Sequence, residues 1–560
     1  MKKLPYGITD YKELREKDYY YVDKTNYLEE LEKFYNKRLI YLRPRRFGKT
    51  LFTSMMYYYY DIKSKDMFEE LFKDTYIHDK PTDLRNSYYV LKFDFSGVST
   101  SVNDATDIKE QFNEKVMYAI KKFISYYNLN IEINYSKDAN IMLLQLLTMF
   151  GTLSLDKKIY IIIDEYDKFT NAILEDNMDV FKSVLGKDGF VRAFYEIIKE
   201  NCGTIVDRVF ITGVCSISLD AMTSGFNIAT NITNDKEFNA MTALTHDEVK
   251  AIMKDIDEKE RENVFNIMLD NYDGYKFNNE VEEKVFNPTL VMYFLSSYYR
   301  FNKVPDELFD KNIISSFEQI KNIITIKDNK YYEDILKNIF NDKSVSGLLI
   351  TNFDLELEVT RDIIVSLLYY FGYITISKKE LGDLVYVIPN KVIEKVFYDY
   401  YVYLLKQDKI EFSDNIVDDA IYEMATNGKI KIITKMVEKV LAKSSNRVLE
   451  NFSEKNIQVI YSALLSIRNV FNVYNEYEVE SGYIDLMIFR KDKDTKYDIM
   501  IELKYIKKKE YSFKVLESTK IKAIDQINKY LLEDRIDKTN LKKYVVIFVG
   551  KKLEVLEEVI

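Results

Sequence analysis

Histidine and cysteine are nearly missing from this 560-residue chain, which has two of each: His78, His246, Cys202 and Cys215. A disulfide-built scaffold and a protein with several zinc sites are thereby excluded. A histidine-based triad would have to use one of those two histidines, and neither sits in a recognisable motif. Chemistry in this chain therefore falls to carboxylates, lysine, backbone and metal. Sparse free cysteines suit a reducing cytoplasm, the expected location. Long apolar runs are missing too. No stretch approaches the roughly 18 uncharged apolar residues of a membrane span, so no membrane partner is expected. The start, MKKLPYGITDYKE, turns polar at once, unlike a signal peptide. Tryptophan is absent and tyrosine numbers 47, which fits an A- and T-rich coding bias better than a binding role. Glycine (16) and proline (6) are scarce, so those that remain mark positions worth locating. Positive charge is in deficit, with 80 Lys and Arg against 90 Asp and Glu and a net charge of −10. A surface that coats nucleic acid uniformly is excluded, while a local basic patch is not.

What is present is an ordinary soluble composition, 47% hydrophobic and 30% charged, which builds packed cores rather than disorder. At about 100–200 residues per domain, the length holds several folding units. Apolar runs at Arg38–Leu42, Tyr89–Phe95, Ile159–Ile163 and Arg208–Thr212 predict strands. Segments of helical spacing, Leu51–Tyr60, Ile108–Tyr127 and Asn140–Leu153, lie between them. That alternation predicts an α/β fold with a parallel sheet over residues 1–245. Residues 246–410 read as mostly helical, ending in a winged-helix-like unit with strands at Tyr373–Ser377 and Leu384–Ile388. Residues 411–560 read as a mixed α/β domain, with strands over 471–505, a helix near 516–533 and a last strand at Lys543–Val549.

Arg43-Pro-Arg-Arg-Phe-Gly-Lys-Thr50 joins a strand to a helix, the setting of a phosphate loop. Backbone N–H groups of Arg46, Phe47 and Gly48 and the helix start would cradle phosphates of ATP. Lys49 would reach the terminal phosphates, and the Thr50 hydroxyl would hold Mg²⁺. Arg43 stands where the usual pattern has its first glycine, and Arg43, Arg45 and Arg46 are expected to add charge contacts to a phosphate or a partner. Ile159–Ile163 ends in Asp164-Glu165: Asp164 is placed to bind Mg²⁺, and Glu165 to polarise an attacking water. Thr212, at the end of another strand, is placed to sense the terminal phosphate. Arg208 is expected to be solvated.

A second constellation lies near the C-terminus. Asp485 heads an apolar strand, and Glu502 and Lys504 follow with the spacing Asp-x16-Glu-x-Lys. Residues two apart on a strand share a face, so Glu502 and Lys504 point the same way. If the two strands pair, the acids and the lysine converge. Asp485 and Glu502 would then hold Mg²⁺, helped by the Ile501 or Leu503 carbonyl. Lys504 would orient or deprotonate water, or steady the transition state. Glu454 is a candidate further acid and Glu480 a lesser one. From Arg490 to Tyr530 there are 12 basic and 7 acidic residues, 12 − 7 = +5, and Lys507-Lys-Lys509 lies just past the site. A phosphate-facing patch for DNA or RNA and a solvated lysine loop fit this equally.

These motifs carry a resemblance. Leu4-Pro-Tyr-Gly-Ile-Thr-Asp10, Tyr20-Tyr-Val-Asp-Lys-Thr25, Arg43–Thr50, Ile163-Asp-Glu-Tyr-Asp167 and Phe210-Ile-Thr-Gly-Val214 are similar to those of the bacterial AAA-ATPase-like family. So are Ser224-Gly-Phe-Asn227, Tyr272-Asp-Gly-Tyr-Lys-Phe277, Phe286-Asn-Pro288 and Gly372-Tyr-Ile-Thr375 with Ile388-Pro-Asn390. The resemblance covers nearly the whole chain. It implies a phosphate loop without its first glycine and a C-terminal domain of the PD-(D/E)XK nuclease superfamily, in which a helix carrying Gln526 follows the acids. The expectation is an ATP-binding and ATP-hydrolysing domain of the additional-strand P-loop class. It is coupled to a Mg²⁺-dependent, restriction-endonuclease-like domain acting on nucleic acid, and the protein is expected to form homo-oligomers. The alternatives are a nucleotide-dependent binding switch with an inactive nuclease fold, and an assembly protein whose P-loop is inert.

Overall fold

A computed structural model describes residues 2–97, 105–153, 155–168, 189–216, 227–308, 316–324, 331–351, 359–407, 410, 413–443, 453–468, 470–491, 495–533 and 535–560. Ser224–Phe226 of one motif lie outside the described residues. The chain forms two compact units. One comprises Met1–Ile313, Gln319–Ile335 and Ser344–Val392, the other Ile314–Glu318, Leu336–Lys343 and Ile393–Ile560. The boundary expected near 245 thus falls inside the first unit and that near 410 inside the second.

The first unit is built on β1 (Arg38–Leu42), β2 (Tyr89–Asp94), β3 (Ile159–Asp164), β4 (Val206–Gly213) and β5 (Thr230–Asn231). All pair in parallel, in the order β2-β3-β4-β1-β5. β4 is thus inserted between the strand that feeds the phosphate loop and the strand that carries Asp164. β3 is buried along its whole length, as strands covered on both faces are. Leu39, Tyr41, Val90, Tyr160, Ile162 and Phe210 share one core with the helix Lys49–Tyr60. By the two-residue period of strands, Lys92, Asp164 and Thr212 project to that same face. Ala105–Tyr127, Ala139–Thr152 and Phe190–Asn201 are further helices around this sheet, Phe194 meeting Phe93 and Phe150 meeting Tyr89 on its other face.

Helices follow at His246–Ile252, Glu258–Tyr272 and Pro288–Phe301. Thr245 and Glu248 close a capping box at the first of these, as the Thr-His-Asp-Glu run predicts. A small antiparallel sheet then forms from β6 (Ser344–Gly347), β7 (Thr375–Glu380) and β8 (Asp383–Val387), in the order β6-β8-β7. The helix Arg361–Tyr370 lies between β6 and β7 in sequence.

The second unit carries β9 (Phe471–Val479), β10 (Gly482–Arg490), β11 (Asp498–Ile506), β12 (Leu541–Val549) and β13 (Lys552–Glu558). They follow one another across the sheet, and only β11 and β12 run parallel. The helix Phe513–Tyr530 makes the crossover between those two. One face of the sheet packs on the helices Asp414–Asn427, Lys431–Lys443 and Glu454–Ser466, the other on Phe513–Tyr530. β13 is one strand more than the sequence pattern predicts. It is a half-exposed edge strand, so charge alternates along it and no apolar run announces it.

Candidate active sites

In the first unit, β1 delivers the chain into a tight loop that ends in the helix starting at Lys49. Gly48, the residue before the helix, has φ 77°, and Arg46 has φ 69°. Gly48 cannot be enlarged: a Cβ there would sit 3.2 Å from the Thr242 carbonyl oxygen in an already left-handed backbone. The Lys49 ammonium is buried and donates to the carbonyls of Arg43 (2.8 Å) and Pro44 (2.9 Å). Burial pulls its pKa down to about 8, against the pull of Glu165, Asp167 and Asp164. Thr50 is half-buried in the first turn.

Asp164 is fully buried at the end of β3. Its Oδ2 is 3.0 Å from the Thr53 hydroxyl, one turn beyond Thr50, and its Oδ1 has no partner among the described residues. Thr212 Oγ1 on the adjacent β4 is likewise buried without a partner among the described residues. Buried polar atoms without partners are costly in a folded protein, and two at neighbouring strand ends beside Lys49 fit a site for Mg²⁺ and phosphate. Glu165 takes φ 51°, which turns it away from the strand direction, and burial raises its pKa. Asp167 is structural: its carboxylate accepts from the N–H groups of Val214 and Cys215 at 2.7–3.1 Å, fixing the end of β4. A cavity of about 370 Å³ opens on Lys49, Thr50, Glu165 and Arg46, and its far wall is the Pro5–Thr9 segment with Tyr20 and Tyr21.

Arg43 departs from the expectation. Its guanidinium is buried and donates to the carbonyls of Leu42 (2.8 Å), Thr233 (2.6 Å) and Phe238 (2.7 Å). It also stacks over the rings of Tyr41 and Phe277, at 4.4 and 4.0 Å. Its charge is spent on the fold, so it is not a phosphate contact. Arg45, by contrast, is exposed.

Arg43 belongs to a brace that sequence reasoning missed. The Phe47 ring meets those of Tyr275 (4.9 Å) and Phe277 (5.4 Å) edge-on. Thr289 Oγ1 donates to the Arg46 carbonyl at 2.8 Å. Gly274 and Gly372 allow close approach: a Cβ on the first would lie 1.9 Å from the Pro389 oxygen, and one on the second 2.8 Å from Pro44. The motifs around 272–277, 286–290 and 372–390 thus hold the phosphate loop from behind. Arg208, expected in solvent, is buried near the rings of Tyr160, Tyr60 and Tyr88.

In the second unit, β10 and β11 pair antiparallel with Leu486 opposite Ile501. Continued by one residue, that register sets Asp485 against Glu502, but the ladder stops there. Instead Asp485 Oδ2 accepts the Leu503 N–H at 2.9 Å. Lys504 Nζ donates to Glu502 Oε1 at 2.6 Å and to Asp485 Oδ2 at 3.3 Å. The structure therefore brings together the three residues predicted to converge. Glu502 is 1% exposed, and its Oε2 has no partner among the described residues. Burial, then the Asp485 charge, push the Glu502 pKa up to about 8, and burial raises Asp485 as well. Both acids draw the Lys504 pKa upward.

Two residues of the helix Glu454–Ser466 complete the surroundings. Gln458 Nε2 donates to Asp485 Oδ1 at 3.1 Å, and Glu454 Oε1 accepts the Tyr505 N–H at 3.2 Å. Burial raises the Glu454 pKa and Lys504 opposes it. Gln526 lies on the helix Phe513–Tyr530, whose Tyr530 hydroxyl donates to the Tyr483 carbonyl at 2.8 Å and senses the charges of Glu502 and Asp485. Glu480 is exposed, and its backbone N–H is tied to Glu533. Among the described residues no three or more His, Cys, Asp or Glu side chains gather tightly enough to hold a metal. The two carboxylates remain, and oxygen donors of this kind fit a hard, partly hydrated cation such as Mg²⁺.

The family model described as "Predicted AAA-ATPase" matches residues 5–223, and that of the PD-(D/E)XK nuclease superfamily matches 452–558. An uncharacterized protein in the vnfD 5' region of Azotobacter chroococcum mcd 1 is 28% identical over 302 residues. The match covers 51% of this chain and 50% of that protein, so the chain spans about half the length of this curated relative. Among the described residues no helix is long and apolar enough to cross a membrane. The chain combines an N-terminal AAA-ATPase-like domain with a C-terminal PD-(D/E)XK nuclease superfamily domain.

Proposed function

We propose that this protein binds and hydrolyses ATP in its first unit and hydrolyses phosphodiester bonds of DNA or RNA in its second. Nucleotide state would govern when the second acts, in a cytoplasmic homo-oligomer. The observation that carries the reading is the cluster of Asp485, Glu502 and Lys504, in which a buried carboxylate oxygen lies unsatisfied beside a second acid. Burial raises both acids and the Asp485 charge raises Glu502 further, an arrangement that calls for a cation. Asp485 and Glu502 would hold Mg²⁺, which supplies Lewis acidity and a water of lowered pKa when bound. Lys504, drawn to both acids, is placed to orient that water and to meet negative charge developing on the phosphate. Gln458 fixes the Asp485 carboxylate, and Leu503 N–H holds its other oxygen.

In the first unit Thr50 and Asp164 would hold the Mg²⁺ of the nucleotide, with Asp164 Oδ1 turned to it. Lys49 would leave the loop carbonyls for the terminal phosphates. Glu165, its pKa raised by burial, is suited to take a proton from water, and Thr212 to hydrogen-bond the terminal phosphate.

The test is incubation of the full chain with supercoiled plasmid, or with single-stranded RNA, in Mg²⁺ with and without ATP. Wild type should cut one of the two substrates. Asp485→Ala should abolish cutting, and Lys49→Ala should remove its dependence on ATP. Cleavage that survives Asp485→Ala would overturn the assignment. An absence of cleavage, with ATP still bound, would favour a nucleotide-dependent switch whose nuclease fold is inert.

A further inference from the structure

A second cavity, of about 350 Å³, opens in the first unit between the helices Lys49–Tyr60 and Ala105–Tyr127, beside β2. Lys92, Lys115 and Lys122 line it, with the rings of Tyr57, Phe123 and Tyr126 as apolar wall. Two carboxylates also face it, and both already have partners. Asp10 accepts from the Glu13 N–H (2.9 Å), Ser54 Oγ (3.1 Å) and Tyr58 OH (3.3 Å), while Asp94 accepts from the Ser96 N–H (2.9 Å).

Lys92 is the informative residue. Its side chain lies on the sheet face that carries Asp164, and burial pulls its pKa down. Its ammonium has three donor hydrogens. One goes to Thr53 Oγ1 at 3.1 Å, and among the described residues no carboxylate comes within ion-pair distance. Asp164, Asp94 and Asp10 act on this half-buried ammonium only from a distance, and a desolvated cation with no anion in contact favours a ligand that supplies one. The same Thr53 hydroxyl is 3.0 Å from Asp164 Oδ2. A continuous path, Lys92 to Thr53 to Asp164, therefore runs from this cavity to the carboxylate at the nucleotide site.

We infer that the cavity is a second binding site, for a small phosphate-bearing molecule, and that Lys92 and Thr53 report its occupancy to Asp164. The phosphate takes the free donors of Lys92, Lys115 and Lys122 reach it from the helix, and the aromatic wall takes the organic part. Lys92 then turns part of its charge from Asp164 to the ligand. Asp164 is left the more negative, and Mg²⁺ binds there more tightly. The site stands on its own observations, while its coupling rests on the ATP-binding reading proposed above.

The probe is inorganic pyrophosphate, titrated calorimetrically into the full chain saturated with AMPPNP, with free Mg²⁺ held constant. AMPPNP retention is followed in parallel. We expect one pyrophosphate per chain in addition to the nucleotide. Lys92→Met should weaken it at least tenfold, and Lys115→Ala with Lys122→Ala severalfold. With pyrophosphate bound, the Mg²⁺ concentration for half-maximal AMPPNP binding should fall severalfold in wild type and stay constant in Thr53→Val. No second site, or one unchanged by Lys92→Met, overturns the proposal. If Lys92→Met does not fold, the double lysine variant decides by the same criterion. If AMPPNP does not bind, the ATP reading fails. Pyrophosphate titrated into unliganded Lys49→Ala protein then tests the cavity alone.

Discussion

Replacing Glu502 by Gln should make the metal-free protein more stable at alkaline pH, although it removes a residue of the proposed active site. The Glu502 pKa moves from an ordinary 4.5 to about 8 on folding. An acid with a raised folded pKa contributes its full stability below the unfolded value. That contribution is lost as pH climbs from about 4.5 through about 8. At about 1.4 kcal/mol per pH unit, the whole shift is worth roughly 5 kcal/mol. Asp485 remains charged in the variant, and the two acids titrate as a pair, so about half of this, roughly 2–3 kcal/mol, is removable. For a unit of this size that is a midpoint shift of roughly 5–10 °C. Gln keeps the shape and can still accept from Lys504. The assay is thermal unfolding of the full chain from pH 5 to 9 in chelator, following the transition that wild type shifts upward when Mg²⁺ is added. Wild type should lose stability toward pH 9 and regain it with Mg²⁺. Glu502→Gln should keep only about half of that pH slope and respond little to the metal. A variant less stable than wild type at pH 8.5, or one that keeps the full pH slope, would refute the reasoning.

Further expectations concern the first unit. Glu165→Gln should leave ATP affinity within a few fold and lower turnover at least ~100-fold, as removing a general base does; equal loss in binding and turnover would assign it a structural role. Arg43→Gly, which restores the common loop glycine, should destabilise the protein by about 3 kcal/mol or more, because three carbonyls lose a buried charged donor; denaturant unfolding checks this, and a neutral outcome would mean the brace is dispensable. Gly372→Ala should lower ATP affinity at least ~10-fold without touching the nucleotide cavity, since a Cβ would displace Pro44 of the loop; equilibrium nucleotide binding measures it. Gln458→Ala should leave substrate affinity unchanged and lower cleavage turnover ~10-fold, with partial rescue by Gln458→Asn, if it only positions Asp485.

Much of this architecture was legible in the chain. Strands buried on both faces are written as unbroken apolar runs, so Ile159–Asp164 and its neighbours stand within a residue or two of where the pattern puts them. The acids and lysine were legible because their spacing fits paired strands. The burial of Arg43 was not, because its acceptors lie about 190 residues away in sequence and are backbone atoms with no side-chain signature. The loop brace was hidden for a related reason: its glycines matter for what they let approach, and spacing does not encode that. Thr50 drew attention for its place in the motif. Thr53, which bonds Asp164, needed the helix turn and the sheet face to be known together.

The parting of β10 and β11 at Asp485 has a consequence for biogenesis. The carboxylate takes a backbone N–H that regular pairing would otherwise use, so the site exists only in one alignment of the two strands. A slip of one residue would send Asp485 to the opposite face of the sheet and leave Glu502 and Lys504 without it. A misaligned chain would therefore lack the proposed cation site altogether. The site is thus assembled by strand register as much as by the three side chains, and any event that shifts the hairpin dismantles it without touching them.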